Sequence, residues 1–263
     1  MRMKTVITLF MAVLAGAVCS AYCAEPAGQS GAGDDVKAVS AKLIKRIPAG
    51  YRIFSEPKTG QTVGGENWIL RGDLNGDGAD DYVLVIKATD KKNIVRRDES
   101  DPKSELVDVN SRGLMIFFKD GDDYKLVLEN RQCFESENED GGVYFPPYMS
   151  VDVKKGNIYI NYGHGRYGWW QYTFRYKNSD FELIGYDEES FYDRTATSIN
   201  FPAEKMLKKV CLKDRGEDRC ADCCAGYRET WKNNITFKPP TLLRKIKNID
   251  DDYGDFIRDI QKQ

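Results

Sequence analysis

Histidine is nearly absent from this sequence, clusters of basic residues are missing, and no apolar run is long enough to span a membrane as a helix. The 39 basic residues are set against 41 acidic ones, a formal charge of −2. Nucleic acids and other polyanions are bound through concentrated positive charge, so no nucleic-acid partner is expected. The only histidine, His164, lies in the glycine-rich segment Tyr162-Gly163-His164-Gly165-Arg166-Tyr167-Gly168. Nucleophilic catalysis there would need a serine or cysteine beside it, and the sequence visibly pairs none with it. No internal repeat recurs along the chain.

What is present first is an export signal. Arg2 and Lys4 precede an uncharged apolar run over residues 5–18. That run is shorter than the ~20 residues of a spanning helix, and small residues accumulate towards and beyond its end (Ala15, Gly16, Ala17, Ser20, Ala21). Residues 1–21 therefore read as a signal peptide cleaved after Ala21. Lipidation is disfavoured, because Val18 precedes Cys19 and Tyr22 precedes Cys23. Loss of Arg2 and Lys4 takes the formal charge from −2 to −4. Residues 22–35 are rich in Gly, Ala and Ser without an apolar period and read as a flexible tether. The remainder, residues 36–263, is expected to be a single β-rich domain in the periplasm or cell exterior, with no transmembrane anchor after cleavage.

Val36, Val39, Leu43 and Ile47 recur at helical spacing, with Asp34 or Asp35 as N-cap and Pro48 beyond the end. After this helix the period becomes two. Residues 82–86 and 114–118 are apolar on both faces and predict central strands. Segments 124–128, 149–153, 158–162, 170–176 and 181–186 are separated by turn clusters such as Lys154-Lys155-Gly156-Asn157 and Lys177-Asn178-Ser179-Asp180. The fold class is mainly β: antiparallel meander sheets with an N-terminal helix. Ile246, Ile249, Tyr253, Phe256 and Ile260 add one or two short C-terminal helices.

The sharpest motif is Gly72-Asp73-Leu74-Asn75-Gly76-Asp77-Gly78-Ala79-Asp80-Asp81, between two apolar strands. Hard cations want six to eight oxygens, and side chains at positions one, three and five converge when a glycine at six allows a sharp turn. Asp73, Asn75, Asp77 and Gly78 occupy those places. The Ala79 carbonyl would serve at position seven and Asp81 at nine. The acid of position twelve is replaced by Leu84, so this is no helix-flanked EF-hand. A weak Ca2+ site is the expectation, with a Kd on the order of 10⁻⁴ to 10⁻³ M. The alternative is a metal-free turn in which Asp and Asn cap their own backbone amides.

A loop of this form before a Tyr-Val-Leu-Val strand resembles the FG-GAP and VCBS-type loops of β-propeller blades, although one copy does not make a propeller. The span from Ile47 to Phe201 also resembles a group of uncharacterised exported proteins of Gram-negative bacteria. The resemblance is carried by Ile47-Pro48-Ala49-Gly50-Tyr51, the Gly72 to Gly78 loop, Trp169-Trp170, Phe174-Arg175-Tyr176 and Leu183-Ile184-Gly185. It implies export and a shared fold, and no reaction. The Cys-rich stretch 211–224 departs from that pattern.

Cleavage after Ala21 leaves Cys23, Cys133, Cys211, Cys220, Cys223 and Cys224, the number three disulfides would use in an oxidising compartment. Adjacent Cys223 and Cys224 are poorly placed to pair with each other, so each is expected to reach a different partner. A zinc site on Cys211, Cys220, Cys223 and Cys224 is the rival. In the strand over 170–176, Trp170, Tyr172, Phe174 and Tyr176 share the buried face, whereas Trp169 points the other way as a candidate exposed contact. The function expected is a non-catalytic binding or structural domain with an unknown protein or glycan partner. The alternative is a hydrolase of envelope material using His164 or an acidic pair within Asp187-Glu188-Glu189, and a third reading is an interaction module built on the Cys-rich loop.

Overall fold

The computed structural model describes residues 33–55, 68–138, 146–212, 224, 226–236 and 242–262. The residues read as signal peptide, 1–21, and most of those read as tether, 22–35, lie outside them. Helix α1 (Gly33–Ile44) comes first. It starts inside the segment expected to be tether, and Asp34 and Asp35 fall in its first turn rather than at its cap. Ile47 follows the helix instead of belonging to it, reaching the core from a turn closed by Ile47 N to Ile44 O at 3.1 Å.

Five strands form the first sheet: β1 (Tyr51–Ile53), β2 (Ile69–Gly72), β3 (Asp81–Ala88), β6 (Arg112–Asp120) and β7 (Asp123–Phe134). β1 and β2 lie end to end along one edge of β3, pairing with residues 86–88 and 81–84, while β6 takes its other edge. Between β3 and β6 the chain makes a two-stranded ribbon of β4 (Ile94–Arg96) and β5 (Leu106–Asp108). Both faces of β3 and β6 are buried, as their unbroken apolar sequences require. Tyr82, Leu84, Ile86, Met115 and Phe117 pack with Leu43 on one face. Val83, Val85, Leu114, Ile116 and Phe118 enter the main core on the other.

Seven strands make the second sheet, a pure meander of β8 (Tyr148–Lys154), β9 (Asn157–Gly163), β10 (Gly168–Lys177), β11 (Asp180–Ser190), β12 (Thr195–Asn200), β13 (Lys205–Cys211) and β14 (Tyr227–Asn233). Two of its hairpins use two-residue loops with positive φ at both positions, Lys155-Gly156 and Asn178-Ser179, the turn whose twist matches that of paired strands. Val151, Ile160, Tyr172, Phe174 and Leu183 face the first sheet and build the shared core. Helix α2 (Ile249–Gln261) buries Ile249, Ile257 and Ile260 against the same core. Asn130 ties this end down, its Nδ2 donating to the carbonyls of Leu243 (2.8 Å) and Ile246 (2.7 Å). No helix among the described residues is long and apolar enough to cross a membrane.

Candidate functional site

The loop between β2 and β3 is built from its own side chains. Asp73 Oδ1 accepts from Gly76 N (2.6 Å) and Asp77 N (3.2 Å), and its Oδ2 accepts from Gly78 N at 2.9 Å. Asn75 Oδ1 accepts from Asp77 N at 2.9 Å, and Asp77 Oδ1 accepts from Ala79 N at 2.8 Å. Asn75 Nδ2 also donates to Asp77 Oδ2 at 2.9 Å. The fold of the loop needs φ of +83° at Gly76 and +85° at Gly78, a region only glycine enters at no steric cost. The Ala79 amide and the Asn75 side chain hold the Asp77 carboxyl below the usual carboxylate range.

Asp81 is set apart from this group. It is fully buried at the start of β3, where Oδ2 accepts from Leu74 N and Oδ1 from Lys119 N, both at 2.9 Å. Burial pushes its carboxyl up, against the pull of the two amides. Asp81 thus anchors the loop to β6, and Leu74 plugs the loop into the main core. Of the five expected ligands, Asp73, Asn75, Asp77 and Ala79 gather on the exposed turn and Asp81 points inward. Among the described residues, no three carboxylate, histidine or cysteine groups are gathered closely enough to hold a metal ion.

Cys211 and Cys224 form a disulfide with Cα atoms 5.8 Å apart, closing the Cys-rich segment on itself. Two of the four thiols of the zinc alternative are consumed by that bond. Cys133, expected in a disulfide, is instead a free thiol, completely buried in the main core. Removal from water pushes its pKa far above the ordinary thiol value. Cys23, Cys220 and Cys223 lie outside the described residues.

The groups considered for catalysis are spread over structural roles. His164 precedes the 3-10 turn Gly165–Tyr167 and stacks on Tyr167 with ring centroids 5.2 Å apart. Asp187 accepts from Ser198 Oγ, and burial pushes its carboxyl up. Glu188 accepts from Tyr186 Oη (2.7 Å) and Gln261 Nε2 (2.6 Å), which fastens α2 to the sheet. Glu189 accepts from Trp169 Nε1 at 3.2 Å. Since neighbours along a strand face opposite sides, Glu188 points to the core side while Asp187 and Glu189 lie on the outer face with Trp169.

No protein-family model, curated protein or solved structure matches this chain. One residue cluster had no counterpart in the sequence reading. Lys87, completely buried, donates from Nζ to both carboxylate oxygens of Glu137 at 2.5 Å and lies 3.1 Å from Asp108 Oδ2. A lysine at the end of an apolar strand was the available signal, but Glu137 is 50 residues away and nothing in sequence spacing joins the two.

Proposed function

We propose that this chain is an exported, non-catalytic binding or structural domain, and that its Asp73 to Asp81 loop is a preformed turn with weak affinity for calcium. The observation that carries this reading is the engagement of the acidic candidates: Asp187, Glu188 and Glu189 are each tied to a neighbouring side chain that fixes strand or helix position. A general acid or base needs to be within reach of substrate rather than committed to holding the scaffold. The loop is satisfied by its own amides before any ion arrives, so a cation supplies little of its folding energy. Asp73 and Asp77 would hold it with the Asn75 amide oxygen, and Asp81 would support the turn from inside.

The test is thermal unfolding of the mature chain in excess EDTA and then in millimolar calcium, beside an Asp73→Ala/Asp77→Ala variant. A ligand that binds only the folded state raises stability by RT ln(1 + [L]/Kd), about 0.4 to 1.4 kcal/mol for 1 mM calcium at a Kd of 10⁻³ to 10⁻⁴ M. A calcium-dependent rise of a few degrees that the variant lacks supports the cation site. Identical midpoints in all conditions reduce the loop to a metal-free turn. Release of soluble fragments from isolated envelope material, lost in His164→Ala, would overturn the non-catalytic reading.

A further inference from the structure

The outer face of the seven-stranded sheet contributes no residue to either core cluster. Its surface is nonetheless ordered. Directly opposed residues on neighbouring strands point to the same side, and the register places Ser150, Asn161, Gln171, Asp187 and Ser198 in one row across β8 to β12. Strands lie ~4.8 Å apart, so the row runs for roughly 19 Å with one polar side chain per step. Each step offers a hydroxyl, an amide or a carboxylate: the two serines and the two amides both donate and accept, and Asp187 accepts. Ser198 is bonded to Asp187, but the internal bonds of the rest are long: Asn161 Nδ2 lies 3.3 Å from Ser150 Oγ and 3.5 Å from Asp152 Oδ2, and Gln171 Nε2 lies 3.5 Å from Thr173 Oγ1. At the outer limit of hydrogen-bond length these contacts are weak, so an incoming hydroxyl replaces them at little cost.

Aromatic rings border the row on both sides. Tyr148, Gly163 and Trp169 are aligned on β8, β9 and β10, so a residue without a side chain separates two rings. Tyr159 lies across the row from them, opposite Asp152 and Thr173. Trp169 is held in place by Glu189. Asp187 and Glu189 are the acidic groups in and beside the row, Asp152 is paired with Lys154 at 3.5 Å, and no lysine or arginine stands in the row itself, which disfavours an anionic ligand there. A ligand that fits has many neutral hydroxyls along an extended axis and apolar C–H faces to lay on the rings.

From this juxtaposition we infer that the row of Ser150, Asn161, Gln171, Asp187 and Ser198, bordered by Tyr148, Trp169 and Tyr159, is a binding site for an extended uncharged oligosaccharide. The inference rests on the binding-domain reading above and gives it a ligand class. Amide and carboxylate side chains take sugar hydroxyls in pairs, and the one-residue-per-strand pitch presents them repeatedly along a glycan. Asp187 and Ser198, bonded to each other, close the row at its β11–β12 end and leave Ser150, Asn161 and Gln171 to take the sugar hydroxyls.

The experiment is an isothermal calorimetric titration of the mature chain with cellohexaose, chitohexaose and maltohexaose, with hexalysine as a fourth probe. Saturable binding of at least one sugar is expected, with a Kd of about 10⁻³ M or tighter. Trp169→Ala and Gln171→Ala, each confirmed folded by circular dichroism, should each weaken that binding at least tenfold, while Arg97→Ala, on a distant loop, should not change it. Absence of sugar binding, or equal binding by wild type and both variants, overturns the proposal. Binding of hexalysine alone overturns the glycan assignment while leaving the binding-domain reading intact. Sugar that is bound and then cleaved, with cleavage lost in His164→Ala, upholds the site and overturns the non-catalytic reading.

Discussion

Replacing Lys87 by methionine is the sharpest test of how this fold manages charge. Lys87 ends a strand that is apolar on both sides, and its side chain has no exposure to solvent. In the registered strands it stands beside Arg52 and Arg112, so three cations share one face. Like charges directly opposed are destabilising unless neutralised. Glu137 and Asp108 supply that neutralisation, and Asp108 comes from β5, so the cluster also pins the β4–β5 ribbon to the sheet. Lys87→Met keeps the volume of the stem but strands two partly buried carboxylates. Breaking one side of a buried pair costs ~3–5 kcal/mol, which for a domain of this size lowers the melting midpoint by about 10 °C. Urea unfolding and calorimetry measure both. The pH dependence adds a second check. Burial would raise the Asp108 carboxyl, but the amide and side chain of Asn110 together with Lys87 outweigh it and the net shift is downward. Its contribution is therefore present above the ordinary carboxyl pKa of ~3.9 and is lost as pH falls below it. Without Lys87 part of that contribution is gone, so the gap between wild type and variant should narrow on acidification. A Lys87→Met/Glu137→Leu double variant should recover part of the loss. A cost below ~1 kcal/mol with no pH dependence, the behaviour of an exposed pair, would refute the reasoning.

Gly168→Ala should unfold the β10–β11 hairpin: a Cβ there would lie 1.9 Å from the Glu189 carbonyl oxygen, at a φ of +130°, and a large drop in thermal midpoint is the readout. Reducing the Cys211–Cys224 bond frees a segment with a sequence separation of 13, so a loss of ~3 kcal/mol is expected by chain entropy, measured as the midpoint with and without dithiothreitol. Cys133 should resist alkylation in the native state and react only on unfolding, since its thiol is buried and its thiolate disfavoured. Asp187 has a raised carboxyl pKa, so its stabilising contribution is present below the unfolded value of ~3.9 and is lost as pH rises through the folded one. Asp187→Asn should accordingly gain on wild type as pH rises, in denaturant titrations across the acid range; a constant difference would contradict the burial.

Much of the fold was written in local pattern. The two-sided apolar runs of β3 and β6 could only be central strands, because both faces had to leave water. Period-two alternation placed β8 to β11, and the Asn178-Ser179 and Lys155-Gly156 turns fixed where those strands reverse. Strands β12 to β14 are not legible in the sequence, because they lie toward one side of the sheet and bury few side chains, leaving polar sequences such as that of Tyr227–Asn233. The cation-type loop was legible as a turn, since its glycines and Asx residues act within ten residues of one another. That Asp81 would turn inward to hold Lys119 was not, because the partner lies 38 residues away. The same limit hid the Lys87 cluster and the polar row of the outer face: sequence determines which residues alternate along a strand, but only the register between strands decides which of them stand side by side. Cys133 marks the boundary most simply. Composition made it a disulfide candidate, and tertiary packing sealed it in the core away from every described cysteine.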